Sequence, residues 1–147
     1  MREGPVPGKV RRVNPPLPQT VRPELTVVIV NFNSWPDVAR LVETLTSTAE
    51  VRSGRCDVVV VDNASDDPVP EDLARRRSGV RLVLRAENDG FAAGVNAGWR
   101  ASRAPWLLLL NPDVIAGPEL LTGVLERLAR HASRPGGPPG EIGRAHV

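Results

Sequence analysis

Four apolar runs of strand length, residues 25–30, 57–61, 80–84 and 106–110, each break off into a cluster of Asn, Asp or Glu. They are rich in Val, Ile and Leu and barely alternate with polar residues, which is the pattern of strands covered on both faces. Helical patterns separate them. Trp35, Val38, Ala39, Val42 and Leu45 recur at helical spacing behind Ser34, an expected N-cap with Asp37 three positions on. A shorter helix is expected over 71–77, where the run Arg75-Arg76-Arg77 reads as a solvated face. Phe91, Val95 and Trp99 mark a third helix, and Leu120, Leu121, Val124, Leu125 and Leu128 a fourth, opened by Gly117-Pro118. The order βαβαβαβα predicts an α/β fold built on a parallel sheet with right-handed crossovers.

A parallel sheet places every strand exit on one edge. That edge would carry Asn31 and Asn33, then Asp62, Asn63 and Ser65, then Glu87, Asn88 and Asp89, then Asn111 and Asp113. Ligands of open α/β sheets bind outside the carboxyl ends of the strands, although Asn, Asp and Ser also serve there as turn and cap residues. The ligand class is narrowed by what is missing. The stretch from Asn31 to Trp35 has no glycine, so it lacks the turn that lets a backbone approach a dinucleotide pyrophosphate. There is no P-loop ending, no Ser-centred nucleophile elbow and no His cluster, and His131 reads as a cation at a helix C-terminus. What remains is oxygen-ligand chemistry, with Asp113 as the candidate ligand of Mg²⁺ or Mn²⁺, ions that take one or two carboxylates alongside phosphate oxygens and water. Gly94 and Gly98, with Ala97 and Ala101, form a small-residue surface. Two helical glycines call either for the close approach of another group or for tight packing on the sheet.

A chain of 147 residues accommodates one domain with a substantial core. Six of its 15 prolines fall in residues 1–24, which show no apolar periodicity and are expected to form a disordered or extended leader of net charge +3. Residues 25–134 form the expected domain, and 135–147 a Gly/Pro-rich tail. The last seven residues, 141–147, resemble the translation of a sequencing-library adapter, so they are excluded from the fold and the chain is expected to be a fragment. With a total charge of +2 and a neutral 141–147 segment, the core carries about −1, which argues against a nucleic-acid partner. The basic leader reads as a solvated tail, with peripheral contact to anionic lipid at the inner membrane face as the alternative. No 18-residue apolar run and no signal-peptide core are present, so a cytoplasmic protein is expected. Cys56 stands alone and is expected to be a buried small hydrophobe.

Four segments in order, Val27-Val28-Ile29-Val30-Asn31-Phe32-Asn33-Ser34, Val60-Val61-Asp62-Asn63-Ala64-Ser65-Asp66-Asp67, Glu87-Asn88-Asp89-Gly90-Phe91-Ala92-Ala93-Gly94-Val95-Asn96-Ala97-Gly98 and Leu110-Asn111-Pro112-Asp113, resemble the successive motifs of family 2 glycosyltransferases, especially the rhamnosyltransferase-like branch. The resemblance implies a GT-A fold and inverting transfer of a sugar from a nucleoside-diphosphate donor, linked to UDP, dTDP or GDP, to a hydroxyl of a glycan or lipid-linked acceptor. It implies that Val30, Asn31 and Phe32 border the base and ribose, that Asn63 meets the base over a loop supported by Asp62, and that Asn96 lies near the ribose or diphosphate. Asp113 matches the metal-binding last acid of the family's Asp-x-Asp motif. Asn111 stands where the motif's first acid would be, which leaves one carboxylate for the metal. The family's general base comes from the half after this motif, so no catalytic residue is assigned and the chain by itself is expected to bind donor without transferring sugar. Two other classes stay open: a non-catalytic nucleotide- or partner-binding α/β module, and a nucleotidyltransferase-like enzyme, which lacks support because no Gly-rich basic loop follows the first strand.

Overall fold

The computed structural model describes residues 11–12, 22–76 and 78–134. In chain order they form β1 (Arg11–Arg12), β2 (Leu25–Asn31), α1 (Trp35–Thr46), α2 (Ala49–Arg52), β3 (Cys56–Asp62), α3 (Glu71–Arg75), β4 (Val80–Leu84), α4 (Phe91–Ala101), β5 (Trp106–Leu110) and α5 (Leu120–Ala132). The sheet runs β1-β4-β3-β2-β5. Its four longer strands are parallel, as expected, with Leu25 opposite both Cys56 and Trp106 and Val58 opposite Val80. An antiparallel edge strand is added: Arg11 faces Leu84 and Arg12 faces Val83. Within the leader expected to be disordered or extended, these two residues form an extended strand. The rest of that leader up to residue 21, and the tail 135–147 with its adapter-like end, lie outside the described residues.

Alternation along each strand divides the core in two. Leu25, Val27 and Ile29 of β2, with Cys56, Val58, Val60, Val80, Leu82, Leu108 and Leu110, pack under α1, α2, α3 and α5. Val28, Val30, Val59, Val61 and Val83 meet α4 on the other face. Cys56 is fully buried, and burial pushes its thiol up to about 12, so it fills space and is not a ready nucleophile.

The helices depart from expectation in instructive ways. Ser34 does not cap α1 with its side chain. Asn31 Oδ1 accepts the Ser34 N–H at 3.0 Å, closing the turn that leads into the helix, while Asp37 pairs with Arg40 at 2.7 Å. The one-turn α2 was not legible from periodicity; Thr48 Oγ1 caps it by accepting the Val51 N–H at 3.4 Å. α3 ends at Arg75, which pairs with Glu71 on the surface. The next residue, Arg76, is half-buried and donates to Thr46 Oγ1 at 2.9 Å, so it does not belong to a solvated face; Arg77 lies outside the described residues. α5 begins just past Gly117-Pro118, and His131 in its last turn sits edge-on to Trp106 with ring centroids 6.2 Å apart.

α4 decides between the two readings of its glycines. Its buried stripe is Gly94, Ala97, Gly98 and Ala101, while Phe91 and Trp99 are 49% and 57% exposed. A Cβ on Gly98 would lie 2.4 Å from Val28 Cγ1, and one on Gly94 2.6 Å from Val30 Cγ1. The helix therefore sits too close to the sheet for any larger side chain, and the glycines serve sheet packing and not the approach of a ligand.

The amino edge of the sheet holds a buried polar staple. Thr26 Oγ1 donates to Asp57 Oδ1 at 2.6 Å, and Arg81 Nη2 pairs with Asp57 Oδ2 at 2.6 Å. Arg81 also donates to the Ala101 carbonyl, and Ser102 Oγ donates to Thr26 Oγ1 at 2.8 Å, so β2, β3, β4 and the end of α4 are joined there. Among the described residues no helix is long and apolar enough to cross a membrane.

Candidate functional site

The polar exits of the four parallel strands meet on the carboxyl edge, and two of them are hydrogen-bonded into one web. Asn31 and Asp62 end β2 and β3 in register, and Asn31 Nδ2 donates to Asp62 Oδ1 at 2.8 Å. Ser65 Oγ donates to the same oxygen at 2.6 Å, and the Ser65 N–H donates to Asp62 Oδ2 at 3.1 Å. A buried carboxylate is tolerable when several donors face it, and Asp62 is 6% exposed with three. The same contacts bend the loop tightly enough to hold Ala64 at φ +59°, a left-handed conformation that a non-glycine residue adopts only under constraint. Across the web Asn33, at φ +54°, donates its N–H to Ser65 Oγ at 2.8 Å, and its amide exchanges hydrogen bonds with Asp66 at 2.9 and 3.1 Å.

The second part of the edge centres on Asn63. Its N–H donates to the Asn31 carbonyl at 2.8 Å, and its side-chain Nδ2 donates to the Gly90 carbonyl at 3.1 Å. Arg85 Nη1 donates to Asn63 Oδ1 at 2.6 Å and Nη2 to Asp89 Oδ2 at 2.8 Å. Sequence reasoning missed Arg85, which follows β4 as an ordinary surface arginine would. Its contact with Asn63 joins residues 22 positions apart, which leaves no local pattern in the sequence.

Val30, Asn31, Asp62 and Asn63 are thus brought together, all of them buried. Their side chains form the floor and frame of the edge, and Phe32, the residue after β2, is half-exposed. Asn96 is not gathered into this web. It lies on α4 two residues from both Gly94 and Gly98, which at 100° per residue puts it on the exposed side of the helix. At the β5 exit Val114 donates its N–H to the Asn111 carbonyl at 3.2 Å, closing a turn that displays Asn111 and Asp113 to solvent. No cluster of three His, Cys, Asp or Glu side chains occurs among the described residues. A single exposed carboxylate free of hydrogen bonds still fits Mg²⁺ or Mn²⁺, because these ions complete their shell with water and phosphate oxygens.

The sequence model of the family described as "Glycosyl transferase family 2" matches residues 26–134. The succinoglycan biosynthesis protein ExoO of Rhizobium meliloti is 33% identical over 116 residues, covering 78% of this chain and 32% of the relative. The N-acetylglucosaminyl-diphospho-decaprenol L-rhamnosyltransferase of Mycobacterium tuberculosis is 29% identical over 117 residues, 72% of this chain and 37% of that protein. The chain spans about a third of the length of these curated relatives. Among solved structures, the mannosyltransferase PcManGT of Pyrobaculum calidifontis, determined with GDP-Man and Mn²⁺, superposes with a TM-score of 0.64 at 24% identity, covering 75% of this chain and 33% of that one. The α/β architecture is that of GT-A glycosyltransferases. With the family's model covering the parallel strands and all five helices, the chain belongs to glycosyl transferase family 2.

Proposed function

We propose that the carboxyl edge binds a nucleoside-diphosphate sugar together with a divalent metal, as the donor half of an inverting sugar transfer to a glycan or lipid-linked acceptor. The observation that carries this reading is the convergence of the four strand exits on one edge, two of them locked into a pre-formed floor by Asn31, Asp62 and Asn63. Val30, Asn31 and Phe32 border the base and ribose; Asp62 and Asn63 hold the loop beneath the base; Asn96 lies on the ribose or diphosphate side; Asn111 and Asp113 present the metal ligand. The rhamnosyltransferase-like branch is the assignment favoured within the family, supported by the Mycobacterium tuberculosis relative.

The residues act mainly by pre-organisation. The floor is hydrogen-bonded before a ligand arrives, so less ordering is needed on binding. The half-exposed Phe32 provides the apolar surface that a planar base covers. A divalent ion bound at Asp113 would supply positive charge to a diphosphate as it departs. Transfer also requires a base near the acceptor hydroxyl, and no described residue is assigned that part.

The test is calorimetry with UDP, dTDP and GDP, in Mn²⁺ and in EDTA. Asp113→Ala is expected to weaken nucleotide affinity in Mn²⁺ by about tenfold or more, the scale on which metal affinity responds even to loss of a supporting group. Affinity in EDTA should be unchanged. Wild-type affinity of the variant in Mn²⁺ would remove Asp113 from the metal site.

A further inference from the structure

Arg85 joins three segments of the carboxyl edge. Its backbone N–H donates to the Asp62 carbonyl at 2.9 Å, and its guanidinium reaches Asn63 Oδ1 at 2.6 Å and Asp89 Oδ2 at 2.8 Å. The Arg85 side chain is 13% exposed and that of Asp89 58%, so the arginine lies within the wall of the edge and the carboxylate outside it. An exposed ion pair of this kind adds little stability. The inner contact does something more specific.

A guanidinium only donates, so it can hold only the oxygen of the Asn63 amide. That choice sends Nδ2 the other way, to the Gly90 carbonyl at 3.1 Å. Gly90 precedes α4 at φ +95°, and a Cβ on Gly94 in the first turn of α4 would lie 3.0 Å from both Asn63 amide atoms. The amide is therefore wedged between the β3 exit and the start of α4. Its orientation decides where one remaining N–H and one remaining lone pair of Asn63 point. Without Arg85 the amide is free to turn over, and the Gly90 carbonyl then loses its donor.

We propose that Arg85 is a positioning residue of the nucleotide site: by fixing the Asn63 amide, and through it the Gly90 carbonyl before α4, it sets donor affinity and nucleobase preference without touching the donor. The assignment rests on the donor-binding reading of the edge. It is distinct from a general stabilising role, because it acts through one named side chain.

A double-mutant cycle on the full chain tests it, with UDP, dTDP and GDP titrated in Mn²⁺. Arg85→Met alone is expected to weaken binding by about tenfold to a hundredfold, the range for loss of a hydrogen bond from a charged group. It should change the ratio of UDP to GDP affinity in the same direction as Asn63→Ala. On the Asn63→Ala background Arg85→Met should cost nothing further. Arg85→Lys, a point charge that cannot span both partners, should fall between wild type and Arg85→Met, and it carries the test if Arg85→Met does not fold. Nucleotide affinities unchanged in either Arg85 variant, or losses from Arg85 and Asn63 that simply add, would overturn the assignment and leave the donor reading intact. A wild-type chain that binds none of the three nucleotides would overturn the donor reading and this assignment with it.

Discussion

Asp57→Ala should destabilise the chain by about 3–5 kcal/mol, the cost of removing one partner from a buried ion pair. The side chains of Asp57 and Arg81 are 3% and 14% exposed, and the carboxylate has no other role than to accept from Arg81 and Thr26. Its loss leaves a guanidinium whose Nε already lacks a partner, and a Thr26 hydroxyl deprived of its carboxylate acceptor at the amino edge of the sheet. Most of the effect is the desolvation of Arg81 and not the loss of attraction, so removing both charges should be much milder: Asp57→Ala with Arg81→Leu is expected to recover more than half of the loss. Urea denaturation of the two variants measures this. A cost of Asp57→Ala below about 1 kcal/mol, the value of an exposed pair, would contradict the buried staple.

Gly98→Val should cost about 3 kcal/mol, the upper end of the range for overpacking a dense interior. Even the first added carbon would lie 2.4 Å from Val28 Cγ1 and 3.3 Å from Val61 Cγ2, on strands that are themselves buried on both faces. α4 must then lift from β2 and β3, which opens the contact at Gly94 and disturbs the Asn63 amide beneath it. Gly123 on α5 is the control, because nothing lies within 4 Å of its added Cβ. There the gain in helix propensity is unopposed, and Gly123→Ala should stabilise by about 0.5–1 kcal/mol. Thermal melts of the two variants are expected to move in opposite directions. Equal and small shifts would mean that α4 does not rest on the sheet as described.

How much of this was legible beforehand depended on which physical signal each element left in the chain. The strands were legible because burial on both faces removes polar residues from a run, as in Val58 to Val61 and Leu107 to Leu110. At α4 the glycines left two readings open, the approach of a ligand or tight packing on the sheet, and only their contacts with Val28 and Val30 decide for packing. Phe91, Val95 and Trp99 recur at helical spacing, yet the sheet admits only glycine and alanine there. The gathering of the Asn and Asp residues on one edge was legible from the order of strands and helices. Their division of labour was not, because one-dimensional spacing does not say that Asn31 and Asp62 face each other in register, or that Arg85 turns inward to Asn63. Arg85 and the Asp57–Arg81 staple depend on contacts between residues more than twenty positions apart, which leave no local pattern.

If the carboxyl edge binds nucleotide and metal, paramagnetic broadening by Mn²⁺ in the ¹⁵N-labelled chain will show it. With nucleotide present, Mn²⁺ should broaden the amide signals of Asn111, Asp113 and Val114 first, with Phe32, Asn63 and Ser65 following, while Arg55, Asp57 and Arg81 on the opposite edge stay sharp. Broadening centred on that opposite edge, or spread evenly over the surface, would contradict the account.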